Sequence, residues 1–181
     1  NLKPAYQVAD TSQWGITQIK KKGLRDLGAT LAPQSATAIA LGMETLDLRL
    51  SRSQHNAMQL ATFLDNHPKV SKVFYPGLAD HPQHFMAREY LNGGYGAILS
   101  FDLIDGADPV AFLNEMKLVI CATHLGDNRT LALPVAPTIY FENTAEEREL
   151  MGISDTMLRI SVGIEDTQDL IADFETALNT I

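Results

Sequence analysis

"MLRISVGIEDTQDLIADF", residues 157–174, changes its period halfway along. "MLRISV" is a short, mostly apolar run closed by Gly163, the composition of a strand. Beyond an acidic start, Leu170, Ile171, Phe174, Leu178 and Ile181 fall in helical register. One residue disturbs the strand: Arg159, between Leu158 and Ile160. A buried guanidinium without a partner is costly, so this one must reach solvent or pair. Two readings stand level. In the first, Arg159 makes a structural ion pair, for example with Glu165 or Asp127. In the second, the sheet holds its planar fork ready to receive a carboxylate through two hydrogen bonds, which Arg does better than Lys.

Upstream, the chain alternates strands and helices. "KVSKVFYP" reads as a strand ended by Pro76-Gly77, and "HPQHFMAREYL" as a short helix. "GYGAILSFDLI" reads as a strand buried on both faces, since Ile98 interrupts the alternation of Ala97, Leu99 and Phe101. "DPVAFLNEMK" is a helix with Asp108 as N-cap and Pro109 in its first turn. "LVICAT" and "TLALPV" are short strands joined by the turn-rich "HLGDNR", and a helix follows from the capping box at Thr144 and Glu147. The fold class is α+β, with a sheet of about four mostly antiparallel strands covered by helices on one face.

Residues 1–32 read as a polar lead-in and an amphipathic helix from Ile16 to Leu27, stopped by Gly28. Residues 33–67 read as one long helix closed by Pro68, with Gly42 marking a kink or close contact. At that length it links two domains or subunits rather than lying on one core. Residues 68–181 form the α+β domain.

With 14 Lys plus Arg against 22 Asp plus Glu, the net charge of −8 argues against nucleic acid or an anionic membrane as partner. The run Lys20-Lys21-Lys22 reads as a solvated helix face. A single cysteine, Cys121, excludes an internal disulfide and reads as a buried structural thiol. No stretch is long and apolar enough for a membrane span, and no signal peptide opens the sequence, so a cytoplasmic protein is expected. Asn1 at the first position suggests a processed or truncated product.

His81 and His84 lack the third and fourth ligands of a zinc site, and His55 and His67 read as surface residues. No metal site is expected. His124 projects from a strand end before "LGDNR", where a hydrogen-bonded turn histidine is the simpler reading and a site residue the sharper one. "NGGYG" has neither the Lys-Ser/Thr of a phosphate loop nor the spacing of a dinucleotide fingerprint.

Five blocks in order, "LRDLGATLAP", "METLDLRLSRSQHNAMQLATFLDNHPKVSKVFYPGL", "GYGAILSFDL", "HLGDNRTLALPV" and "MLRISVGIEDTQDLIADF", resemble the C-terminal half of the Cys/Met-metabolism family of pyridoxal-phosphate (PLP) enzymes. That family includes cystathionine γ-synthase, cystathionine γ- and β-lyases, methionine γ-lyase and the O-acyl-homoserine sulfhydrylases. The resemblance implies the small C-terminal domain of a fold-type I transferase, reached by the long linking helix from a large cofactor domain. It also implies an amino-acid substrate and a homo-oligomer, a dimer of dimers. Arg159 matches the residue that holds the substrate α-carboxylate, and Thr123 and His124 match its substrate-contacting neighbours.

Three features depart from the family pattern. His124 stands where relatives carry a serine, and "LPVAPTIY" where they often read "HPASMTH". The Ser-x-Thr-Lys segment that supplies the Schiff-base lysine is missing, and none of Lys3, Lys20, Lys21 or Lys22 has its context. The resemblance therefore implies the C-terminal portion of a longer enzyme, with no catalytic or cofactor-binding residue of its own and no activity alone. Its leading activity is γ-replacement on an activated homoserine, as in cystathionine γ-synthase and the sulfhydrylases. Cystathionine or methionine γ-lyase is the enzymatic rival, and a non-catalytic amino-acid-binding or oligomerisation module the other.

Overall fold

The computed structural model describes Pro4 and residues 7–181, which fall into two compact units, the described residues up to 45 and residues 46–181. In the first, Asp10 caps a 3-10 turn at Thr11–Gln13 by accepting from Ser12 N. Helix α1 (Trp14–Gln18) widens into a π-helical turn (Ile19–Leu24) and closes as α2 (Arg25–Leu27). Gly28 ends it in the left-handed region, at φ 65°. Helix α3 (Pro33–Glu44) begins on proline, and no helix of this unit buries a residue. The expected lead-in falls partly on residues 1–3, 5 and 6, outside the described residues.

The second unit opens with α4 (Leu46–Asp65). A single helix over 33–67 is not what forms: Thr45 leaves helical geometry at φ −108°, ψ 10°, while Gly42 sits inside α3. Threonine is stiff at Cβ and a poor helix former, whereas an isolated glycine is tolerated. On α4, Ser53, Asn56, Ala57, Leu60, Ala61 and Leu64 recur at helical spacing and are buried.

Five strands form one sheet: β1 (Val70–Phe74), β2 (Ile98–Leu103), β3 (Ile120–Cys121), β4 (Leu131–Pro134) and β5 (Met157–Ser161), in the order β1-β2-β5-β4-β3. Helices α5 (His84–Tyr90), α6 (Pro109–Asn114), α7 (Val135–Thr138), α8 (Ala145–Leu150) and α9 (Thr167–Leu178) complete the unit. All five runs read as strands form, so the sheet has one strand more than the expected count of about four, and β3 is the shortest, with two residues. It runs parallel to β4, pairing Cys121 with Ala132, so "HLGDNR" lies in a crossover and not in a hairpin. All other pairings are antiparallel.

Alternation along the strands sets the two faces of the sheet. Leu99, Phe101 and Leu103 of β2, Ala132 of β4, and Leu158 and Ile160 of β5 join the α4 and α9 side chains in the main core. Phe101, Phe112 and Phe174 meet there with ring centroids 6.0–6.3 Å apart, an aromatic cluster that fixes α6 and α9 over the sheet. The other face is only partly covered: Met157 and Leu133 pack with Val135, Phe74, Tyr140 and Ile153, while Ile98 is 46 % exposed. β2 is thus not buried on both faces. The expected caps form at Asp108, which accepts from Val110 N, and at the Thr144–Glu147 box.

Two further expectations change. Cys121 is exposed, because β3 is the edge strand of the sheet. The His67 side chain is only 8 % exposed, and its ring packs on Phe63 with Nε2 3.7 Å from the Glu175 carboxylate. Among the described residues, no helix is long and apolar enough to cross a membrane.

Candidate substrate-carboxylate site

Arg159 sits at the middle of β5, paired with Ser100 of β2 and Leu133 of β4. Leu158 and Ile160 point to the core, which turns Arg159 to the partly open face together with Met157 and Ser161. The strand explains the oddity in the sequence: the arginine is half-buried, on a different face from its apolar neighbours.

The structural ion pair does not form. Asp127 accepts from Arg129 through its backbone N (2.9 Å), Nε (3.1 Å) and Nη2 (3.0 Å). Glu165 accepts from the backbone N and hydroxyl of Thr130. Among the described residues, no ion pair found includes Arg159. Its guanidinium is anchored from Nη2 to the Thr123 carbonyl oxygen at 2.7 Å. A guanidinium offers five N–H donors, so one neutral anchor orients the fork without neutralising it.

Of the other two expected site residues, Thr123 meets Arg159 through its backbone carbonyl, and its side chain makes no contact in that anchor. His124 is exposed, with Nε2 3.4 Å from Asp127 Oδ2. The Arg129 guanidinium and backbone N–H hold the Asp127 carboxyl well below the usual carboxylate range. Asp127 in turn raises the pKa of Arg129. The loop carrying Thr123 and His124 is pinned again where Gly126 N donates to Ser161 Oγ (3.0 Å) and Ile164 N to Asn128 O (2.9 Å).

Sequence reasoning missed Ser161, Glu165 in this role, and Asn56. Buried Asn56 on α4 donates from Nδ2 to Gly163 O (3.1 Å) and Glu165 O (2.9 Å) and accepts from Thr167 Oγ1 (2.7 Å). The available signal was Gly163: a Cβ there would strike Asn128 O and lie 2.6 Å from the Arg129 carbonyl carbon. Elsewhere, His84 contacts Pro76 O through Nδ1 (2.9 Å) and stacks on Tyr95, while His81 Nδ1 accepts from Gln83 N.

Comparison with known proteins covers nearly the whole chain. Residues 7–179 match the family described as Cys/Met metabolism PLP-dependent enzyme, and the chain belongs to that family. It is 42 % identical over 166 residues to an L-methionine gamma-lyase of Fusobacterium nucleatum subsp. polymorphum, covering 91 % of this chain and 42 % of that protein. It is 41 % identical to O-acetyl-L-homoserine sulfhydrylase 1 of Thermus thermophilus, covering 90 % and 39 %. A solved cystathionine gamma synthase from Xanthomonas oryzae pv. oryzae, in complex with cystathionine, superposes with a TM-score of 0.79 at 36 % identity, over 95 % of this chain and 44 % of that one. The chain thus spans less than half the length of these relatives.

Proposed function

We propose that this chain is the substrate-side C-terminal part of a PLP-dependent trans-sulfuration enzyme, in which Arg159 receives the α-carboxylate of the amino-acid substrate. In this reading residues 1–32 end the large domain, 33–67 link the two, and 68–181 form the substrate-side domain of a cytoplasmic homo-oligomer. The observation that carries the reading is the half-buried, carboxylate-free guanidinium on the open sheet face, with both candidate acids engaged elsewhere.

PLP, when bound, supplies the electron sink for carbanion chemistry at the substrate. In this reading the residues that hold it lie in the rest of the enzyme, and what supports this is the setting of the lysines here. Lys69 Nζ donates to Ile181 O, Lys72 Nζ lies over the Phe74 ring, and no lysine of the chain follows Ser-x-Thr. What this chain contributes is orientation: a two-pronged hydrogen bond fixes both position and tilt of a carboxylate. Thr123 O sets the direction of the fork, and His124, its exposed neighbour in the chain, leans on Asp127.

The preferred reaction is γ-replacement on an activated homoserine, as the names of the sulfhydrylase and synthase relatives suggest. The second reading, carbon–sulfur elimination, is supported by the methionine gamma-lyase relatives at the same level of identity. Arg159→Lys and Arg159→Glu in the full-length enzyme test the shared premise. A lost charge-paired contact costs about 2–5 kcal/mol, so kcat/KM for the amino-acid substrate should fall by at least an order of magnitude. Unchanged substrate affinity in Arg159→Glu would remove Arg159 from the site.

A further inference from the structure

Arg159 is oriented by a backbone carbonyl, so whatever places that carbonyl places the site. At its near end Thr123 follows directly on Ala122, whose N donates to Ala132 O at 3.1 Å; beyond it the chain leaves the sheet on the nine-residue crossover to β4, held midway by Gly126 N on Ser161 Oγ. The far end of that crossover is tied to the turn after β5 by Ile164 N on Asn128 O and by side-chain contacts of Thr130, the charged partner among which is Glu165. Its Oε1 accepts from Thr130 N, and its Oε2 accepts from Thr130 Oγ1 at 2.8 Å. Thr130 Oγ1 accepts in turn from Gly163 N at 2.9 Å, and Thr130 is fully buried. Gly163 has no room for a Cβ against the Asn128 and Arg129 backbone, so the turn after β5 and the crossover are in direct contact there. Asn56 then holds the backbone of the same turn to α4.

We propose that Glu165 is a positioning residue for the substrate-carboxylate site, acting through Thr130 and the 123–130 crossover on the Arg159 guanidinium. The proposal rests on the reading of Arg159 given above. Both groups facing the Glu165 carboxylate are donors, the Thr130 N–H and the Thr130 O–H, so two acceptor oxygens are needed. An amide offers one acceptor and turns an N–H on the other donor. Glu165→Gln therefore removes the charge and takes the acceptor from the Thr130 O–H, reversing that contact with almost no change of volume. Asp127 does not fill this role, because it is occupied by Arg129 within the crossover and reaches no residue of β5.

The test is steady-state kinetics of the full-length enzyme carrying Glu165→Gln, Thr130→Val, Arg159→Lys, and Glu165→Gln with Arg159→Lys. Glu165→Gln and Thr130→Val should each raise KM for the amino-acid substrate roughly five- to fiftyfold, the range for a lost charge-assisted hydrogen bond and a misplaced binding group. kcat should change less than KM, and cofactor absorbance should stay at the wild-type level. In the double variant the KM increase should fall short of the product of the single increases, since Glu165 acts through Arg159. An unchanged KM in Glu165→Gln, or effects of Glu165 and Arg159 that multiply, would overturn the positioning role. Loss of cofactor absorbance in Glu165→Gln with wild-type KM in the loaded fraction would make the residue structural only, and also overturn it. An unchanged KM in Arg159→Lys and Arg159→Glu would defeat the carboxylate assignment instead, whatever Glu165 does.

Discussion

Tyr75 shows how one buried group couples the core to pH. The residue is fully buried, and its hydroxyl donates to Gly96 O at 2.9 Å. Burial pushes its pKa up to about 12, with a smaller contribution from Tyr95. The folded chain therefore keeps the phenol proton that the unfolded chain releases near pH 10. Stability from this group is fully present below pH 10 and is lost as pH rises through 12, an effect on the order of 2–3 kcal/mol. Equilibrium denaturation between pH 9 and 12 should show this alkaline loss in the wild type and a flatter profile in Tyr75→Phe. Asp127 has the opposite sign. Its carboxyl is held below the ordinary range, so its contacts with Arg129 persist as pH falls through the usual carboxylate region and fail only in stronger acid.

At the scale of elements, α9 is joined to the segment between α6 and β3 by one carboxylate. Asp173 of α9 is 8 % exposed and accepts from three consecutive backbone N–H groups, Lys117 (2.9 Å), Leu118 (3.0 Å) and Val119 (3.3 Å). Those N–H groups lie between α6 and β3 and have no strand to pair with there. Asp173→Ala would leave one buried and two part-buried donors without their acceptor and should lower unfolding free energy by roughly 1–3 kcal/mol, readable as a lower urea midpoint at unchanged slope. The N-cap of the same helix was legible: Asp166 accepts from Gln168 N and Asp169 N, as the acidic start of "EDTQDL" implies.

At the scale of the whole molecule, family membership and length meet. The chain spans less than half of its relatives, and Lys69 and Lys72 are engaged by the Ile181 carbonyl and the Phe74 ring. The proposed incompleteness predicts that the 181-residue chain mixed with PLP develops no Schiff-base absorbance above that of free lysine at equal concentration. A saturable, protein-specific band would show that the chain carries its own cofactor site. In contrast, the core of residues 46–181 is complete in itself, with α4, the sheet and α9 enclosing one apolar cluster.

The sequence by itself determined the order of strands and helices, the caps, the α+β class and Arg159 as the residue to explain, because periodicity and capping are local properties of the chain. It left Arg159 level between an ion pair and a ligand contact. Only the tertiary structure decided that Asp127 and Glu165 are engaged elsewhere, that β3 runs parallel at an exposed edge, and that Thr45 breaks the long helix. The Glu165 and Arg159 contacts join groups more than 30 residues apart, and the direction and exposure of β3 depend on how the sheet assembles around it, while the Asp127–Arg129 contact and the break at Thr45 are local features that the spacing does not announce. Hydrogen-bonding partners and solvent exposure are set by that assembly, and no spacing within a single element encodes them.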